Sequence, residues 1–169
     1  IQQRKKLDHL INACAELPDN LRPQLWIVGD GPNRAELEQH ARKRMSETRF
    51  WGEKVGNDLV DIFRQADLFV LPGTGGLAVQ QAMSHALPVI VAEGDGTQGE
   101  LVSVETGWRV DPHDPSGLRK MLIEALSDPH RLRLKGLNAF DRIKNQVNIE
   151  MMVKVFSQAI RDALMERKK

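Results

Sequence analysis

Apolar residues along this chain alternate between helical spacing and short unbroken runs. Leu7, Leu10, Ile11 and Cys14 recur at helical intervals and predict an amphipathic helix over residues 4–17, stopped by Pro18 and the Asp19-Asn20 pair. Residues 24–28 (QLWIV) form a short apolar run before the turn Gly29-Asp30-Gly31-Pro32, which predicts a buried strand. Asn33 reads as a helix cap with Glu36 as its capping-box partner, and the helix runs to about Met45. A short strand is expected over 49–52, and Gly56-Asn57 opens a helix to Ala66. Residues 67–71 (DLFVL) are the clearest strand; Pro72-Gly73-Thr74-Gly75-Gly76 ends it, and a helix follows from Leu77 to Ala86. Strands at 88–92 and 107–110 flank a loop over 93–99 and a turn near Glu100. Asp114-Pro115 starts a helix marked by Leu118, Met121, Leu122, Ala125 and Leu126, and two more helices cover about 129–144 and 148–166.

Strand and helix alternate, and the strands are apolar on both faces. That pattern predicts a parallel sheet covered on both sides: an α/β, Rossmann-like doubly wound fold in a single domain closed by C-terminal helices. The length of 169 residues suits one domain, and 41% apolar with 28% charged residues supports a packed core. A net charge of +1 argues against a dedicated nucleic-acid binder, whose electrostatics need a basic excess. No apolar run is long enough for a membrane-spanning helix. The single cysteine excludes an internal disulfide, and Cys14 reads as a small core residue on an apolar helix face. The chain opens at Ile1 with no methionine or signal pattern, so a piece of a longer polypeptide is expected.

In such sheets ligands bind beyond the carboxyl ends of the strands. Two glycine-rich turns fall there, 29–32 and 72–76, each joining a strand to a helix. Glycine admits close backbone approach, and a helix N-terminus offers free N–H groups, so a phosphate is favoured near the amides of Gly75 to Ala78. The plain alternative is that the glycines only make tight turns. Neither turn is a P-loop or the G-x-G-x-x-G fingerprint, and no G-x-S-x-G elbow or histidine pair at metal spacing is present. His85 reads as a core or cap histidine. Lys5 and Lys6 lie at the start of the first helix, where a lysine can reach a phosphate or form part of a solvated basic pair.

Several stretches taken in order carry a resemblance: RKKLDHLINA, LWIVGDGP, RFWGEKV, DIFRQADLFVLP, AMSHALPVIVA and ETGWRVDPHDPSGL. Together they resemble the C-terminal, donor-binding domain of GT-B glycosyltransferases of the group 1 type (family 4), across about residues 4–127. The resemblance implies a nucleotide-diphosphate-sugar donor, with Lys5 on its diphosphate and the Gly29 to Pro32 turn, Gly29 and Gly31 included, lining the cleft. It places Lys54 and Val55 at the base, and Gly75, Gly76, Leu77 and Ala78 around the diphosphate.

The sequence also departs from the family. The E-x7-E pair of typical members falls on Gly73 and Gln81, so both carboxylates are absent. A branch of the family reads P-G-x-x-G-L here, as Pro72 to Leu77 do. Gln81 still offers a neutral hydrogen bond to a hydroxyl. The resemblance further implies a phosphate-binding arginine just ahead of Ile1 and an N-terminal acceptor domain, without which the fragment is expected to be inactive.

The activity implied is a hexosyl-type transfer to a glycan or lipid-linked acceptor, as in polysaccharide biosynthesis. Anomeric retention, no metal and no cofactor beyond the donor are expected. So is a cytoplasmic setting, the inner face of a membrane included, with membrane contact only through the absent domain. Another class of reading is a non-catalytic nucleotide-sugar-binding or scaffolding module. A third, a GT-B-like epimerase, would draw its acid and base from Glu53, Glu93 and Glu100.

Overall fold

A computed structural model describes residues 1–94 and 97–166. Among the described residues, five strands, β1 (Trp26–Val28), β2 (Arg49–Gly52), β3 (Phe69–Leu71), β4 (Val89–Ala92) and β5 (Gly107–Val110), alternate with helices, and three of the eight α-helices follow the last strand. All strand pairs are parallel: β1 with β2, and β3 with β4 with β5. The helices are α1 (Leu7–Ala15), α2 (Arg34–Arg44), α3 (Gly56–Gln65), α4 (Leu77–Ser84), α5 (Thr97–Leu101), α6 (Pro115–Ser127), α7 (Pro129–Gln146) and α8 (Ile149–Glu166).

Strand period sorts the core into two layers. On β4, Ile90 joins Leu10, Ile11, Leu37, Leu118 and Leu122 on one face, under α1, α2 and α6. Val89 and Val91 join Val79, Met83, Val102 and Ala139 on the other, under α4 and α7. Successive strand side chains point to opposite faces, so a run that is apolar throughout requires helices on both. This is the doubly wound α/β arrangement expected, with one difference: no ladder joins β1 to β3, and the strands form two parallel sheets.

Local differences from expectation have physical causes. The first helix begins at Leu7 rather than residue 4, because Lys6 takes a left-handed conformation (φ 51°) after a 3-10 turn, Gln3–Lys5. Asn33 precedes α2 but gives it no side-chain cap; its amide donates instead to Glu36 Oε2 at 3.5 Å, so the capping box is not made. The stretch expected as a loop and turn up to Glu100 holds the short helix α5, while Asp95 and Gly96 lie outside the described residues. Cys14 is buried as expected. His85 follows the C-terminus of α4 and stacks on Phe63, with ring centroids 5.0 Å apart. On α8, Ile149, Met152, Val153, Phe156, Ile160 and Leu164 all remain exposed.

Candidate functional site

The site lies where the carboxyl ends of β1 and β3 meet the 3-10 turn. That turn is locked to the β3–α4 connection. Thr74 N donates to Arg4 O at 3.1 Å, and Lys5 Nζ donates to Thr74 O at 2.6 Å. Arg4 also reaches Thr74 Oγ1 at 3.4 Å. Lys6 Nζ donates to Pro112 O at 2.7 Å, tying the turn to the end of β5.

The packing explains why glycine stands at two of these positions. A Cβ on Gly73 would sit 2.1 Å from Arg4 O, and one on Gly31 would sit 2.2 Å from Ile1 N. Such contacts cannot be relieved without moving backbone, so only glycine fits. At Gly75 a Cβ would meet the Lys5 ammonium at 2.5 Å. The glycines thus bring the loop against the lysine.

Gly76 precedes α4 and has no side chain to cap the amides of the first turn. That end of the helix carries positive partial charge and favours an anion. On the other side, Asp30 accepts from Gly31 N at 2.7 Å and pairs with Arg34 at 2.9 Å, and Arg34 also holds Glu38. The Gly31 amide, and next the Arg34 guanidinium, hold the Asp30 carboxyl below its ordinary range. Lys54 lies 3.6 Å from Asp58, at the start of α3.

A cavity of about 810 Å³ opens here, and Lys5, Gly29, Gly31, Lys54, Ala78 and Gln81 line it. Gly73, Gly75 and Gly76 are outside the lining; Gly73 packs against the 3-10 turn and Gly75 against Lys5. Val55 and Leu77 are outside the lining and largely exposed (72% and 84%), Val55 before α3 and Leu77 opening α4. Of the carboxylates considered for acid-base work, Glu53 lines the cavity. Glu93 instead lies 3.8 Å from Arg109 on β5, and Glu100 is on α5, where its carbonyl accepts from Arg142. Among the described residues no cluster of His, Cys, Asp and Glu suits a metal, and no helix is long and apolar enough to cross a membrane.

One residue of the site escaped the sequence reading. Gln98, fully buried on α5, donates its side-chain amide to Gly73 O (3.2 Å) and Gly75 O (2.5 Å). Its Oε1 has no partner. A polar residue in a five-residue helix between glycines leaves no periodic signal.

Parallel strands, helices on both faces and a cleft at the strand ends, lined by Gly29, Gly31, Lys5 and Lys54, are features of a nucleotide-binding type of α/β domain. The family profile for glycosyl transferases group 1 matches residues 1–128. The chain belongs to that family. It is 30% identical over 163 residues to the GDP-mannose-dependent monoacylated alpha-(1-6)-phosphatidylinositol monomannoside mannosyltransferase of Corynebacterium glutamicum, covering 88% of this chain and 42% of that protein. The sucrose-phosphate synthase of Thermosynechococcus elongatus superimposes with a TM-score of 0.80 at 26% identity, over 98% of this chain and 44% of that one. Anabaena Alr3699/HepE, solved with UDP-glucose, shares the fold with a TM-score of 0.82 at 20% identity, over 96% of this chain and 46% of that one. The chain therefore spans less than half the length of these proteins.

Proposed function

We propose that this chain is the donor-binding half of a glycosyltransferase that moves a sugar from a nucleoside diphosphate sugar to a glycan or lipid-linked acceptor. The observation that carries the reading is Lys5, held at Thr74 beside the uncapped start of α4 and lining the cavity. In this reading Lys5 and the amides of Gly75 to Ala78 neutralise the charge that builds on the departing diphosphate. Preorganised donors of this kind act most strongly where charge develops in the transition state. Gly29 and Gly31 bound the cleft, Lys54 and Val55 meet the base, and Gln81 hydrogen-bonds a hydroxyl of the donor. Gly73 and Leu77 shape the loop and helix start. GDP-mannose in the name of one relative and UDP-glucose bound in one solved structure of the same fold support a nucleoside diphosphate sugar. No metal or cofactor is assigned to the site, and the transfer retains anomeric configuration. The acceptor side belongs to a further N-terminal domain, membrane contact to that domain alone, and the setting is the cytoplasm.

A second reading has one observation in its favour: neither Gly73 nor Gln81 supplies a carboxylate. It makes the chain a nucleotide-sugar-binding module without catalysis. Titration with UDP, GDP, ADP and their sugars, followed by chemical-shift mapping, tests the donor site. Saturable binding that moves Gly75 to Gln81 together with Lys54 and Val55 supports it; silence on a full-length protein sinks it. Transfer to an acceptor by the full-length protein separates the enzyme from the module.

A further inference from the structure

The glycine loop ahead of α4 is held from a helix that does not line the cavity. Gln98 fixes that loop through the carbonyls of Gly73 and Gly75, so the loop depends on where α5 places Gln98. α5 has only five residues. Isolated helices shorter than about 12 residues are marginal in water, so α5 takes its position from whatever it is tied to.

α7 is what it is tied to. Leu101, which ends α5, and Val102 after it are buried with Ala139 and Ile143 of α7. Arg142 Nη2 donates to Glu100 O at 2.5 Å. The last carbonyls of a helix lack partners within it, and a charged donor makes the stronger bond to them. The segment after α5 is held by the same face of α7. Asn138 Nδ2 donates to Glu105 O at 3.2 Å. Lys135 Nζ donates to Val104 O and reaches Gly107 O at 3.4 Å. Lys135, Asn138 and Arg142 are spaced by three and four residues and form one stripe along the helix. All three donate to backbone carbonyls between residues 100 and 107. The stripe is anchored at its inner end, where Lys135 is buried with its ammonium 4.7 Å over the Trp108 ring of β5.

α7 also carries α4. Gln80 Nε2 donates to Val147 O, just past the end of α7, at 3.0 Å. Gly136 packs on the α4–β4 turn so closely that a Cβ there would lie 2.1 Å from Ala86 O. One helix thus holds both α4, which the loop leads into, and α5, which grips the loop carbonyls.

Arg142 is the link in this stripe nearest to Gln98 in the chain path. Its partner Glu100 lies two residues beyond Gln98 on the same helix. Arg142 is outside the cavity lining, so any effect it has on a ligand there passes through the loop.

We propose that Arg142 is a positioning residue of the donor site: through Glu100, α5 and Gln98 it sets the conformation of the Gly73–Gly76 loop. That the loop in turn serves a diphosphate rests on the donor-site reading above; the coupling from Arg142 to the loop does not need a ligand to be seen.

The test uses variants of this chain. Arg142→Met removes the donor and keeps an aliphatic stem. Arg142→Lys keeps a charged donor. Arg131→Met is the control, since Arg131 is on the same helix but pairs with Glu124. Amide hydrogen exchange is read without ligand at Thr74, whose N–H donates to Arg4 O, and at Ile90 on the buried strand β4, which reports global opening. Arg142→Met is expected to speed exchange at Thr74 relative to Ile90 by about fivefold. Arg142→Lys and Arg131→Met are expected to leave that ratio within about twofold of the parent.

Calorimetry then compares UDP or GDP with uridine or guanosine. Arg142→Met is expected to weaken diphosphate binding by about fivefold and to leave nucleoside binding unchanged. The double variant Arg142→Met/Gln98→Leu is expected to bind the diphosphate no more weakly than Gln98→Leu alone, because both changes act on one contact; independent effects would multiply. Two results overturn the proposal: exchange at Thr74 in Arg142→Met that only follows Ile90, and diphosphate losses that multiply in the double variant. A parent chain that binds neither UDP nor GDP overturns the donor-site reading instead, and faster exchange at Thr74 then still supports the coupling.

Discussion

The side-chain amide of Gln98 bridges the carbonyls of Gly73 and Gly75, so a residue of α5 fixes the loop that carries the candidate phosphate contacts. Replacing it with leucine removes both donated bonds and leaves two inner carbonyls without them, which costs about 1–3 kcal/mol. The unpartnered Oε1 disappears in the same change and offsets part of that loss. Gln98→Leu is therefore expected to lower stability by about 1–2 kcal/mol in urea unfolding. It is also expected to weaken nucleoside diphosphate binding, because the loop relaxes. An unchanged midpoint with unchanged affinity would show that Gln98 does not hold the loop.

Gly73 stands where a typical relative's first glutamate is expected, and the structure gives a reason for the change. Arg4 O would lie 2.1 Å from any Cβ there. Gly73→Ala forces the 3-10 turn away from the loop, at about 1–3 kcal/mol for an overpacked contact. Gly73→Glu is expected to fare worse. A Gly73→Glu variant as stable as the parent in thermal unfolding would mean that the turn yields easily.

Lys5 tests the electrostatic part of the donor site. Lys5→Met keeps the aliphatic stem and removes the ammonium that reaches Thr74 O. Calorimetric affinity for UDP or GDP is expected to fall at least tenfold, about 1.4 kcal/mol, with uridine or guanosine binding little changed. An equal loss for nucleoside and nucleotide would place Lys5 in loop architecture rather than at the diphosphate.

The sheet covered by helices on both faces was legible in the sequence because its signals are long. The run 88–92 is apolar at every position, so β4 with helices on both faces follows, and Cys14 falls among apolar residues at helical spacing. Both glycine-rich turns were found because glycine marks close approach before any contact is known. What was not legible depends on tertiary contacts. The left-handed Lys6, which starts α1 late, is a single backbone angle that no periodicity encodes. Gln98 is polar in a short helix, and only the fold reveals that it faces the loop carbonyls. The capping box at Asn33 failed because the Asn33 amide donates to Glu36 instead of its oxygen capping α2. The missing β1–β3 ladder could not be read either, since strand order is not written in strand composition.

The exposed apolar face of α8 is expected to contribute little to the stability of this chain. Phe156 is 64% exposed and Ile160 60%. Phe156→Glu and Ile160→Glu are expected to shift unfolding free energy by no more than about 0.5 kcal/mol. Chemical denaturation monitored through the chain's tryptophans checks this. A larger loss would mean that α8 packs on the core in solution.

Cys14 gives stability a dependence on alkaline pH. The thiol is 1% exposed, and burial pushes its pKa from the ordinary 9.0 up to about 12. Between these values the unfolded chain loses the proton and the folded chain keeps it. Unfolded molecules then bind fewer protons, so unfolding free energy falls as pH rises. The contribution is fully present below pH 9 and is lost through the window up to about pH 12, at about 1.4 kcal/mol per unit. Cys14→Ala removes the thiol at a cost that does not vary with pH. The stability difference between the parent and Cys14→Ala is therefore expected to shrink by about 2 kcal/mol between pH 9 and 10.5. Lysine titration affects both proteins alike and cancels in the difference. A difference that stays flat over that range would mean that water reaches the thiol in the native state. Rapid reaction of Cys14 with a thiol reagent below the unfolding transition would then be expected, in place of labelling that follows unfolding.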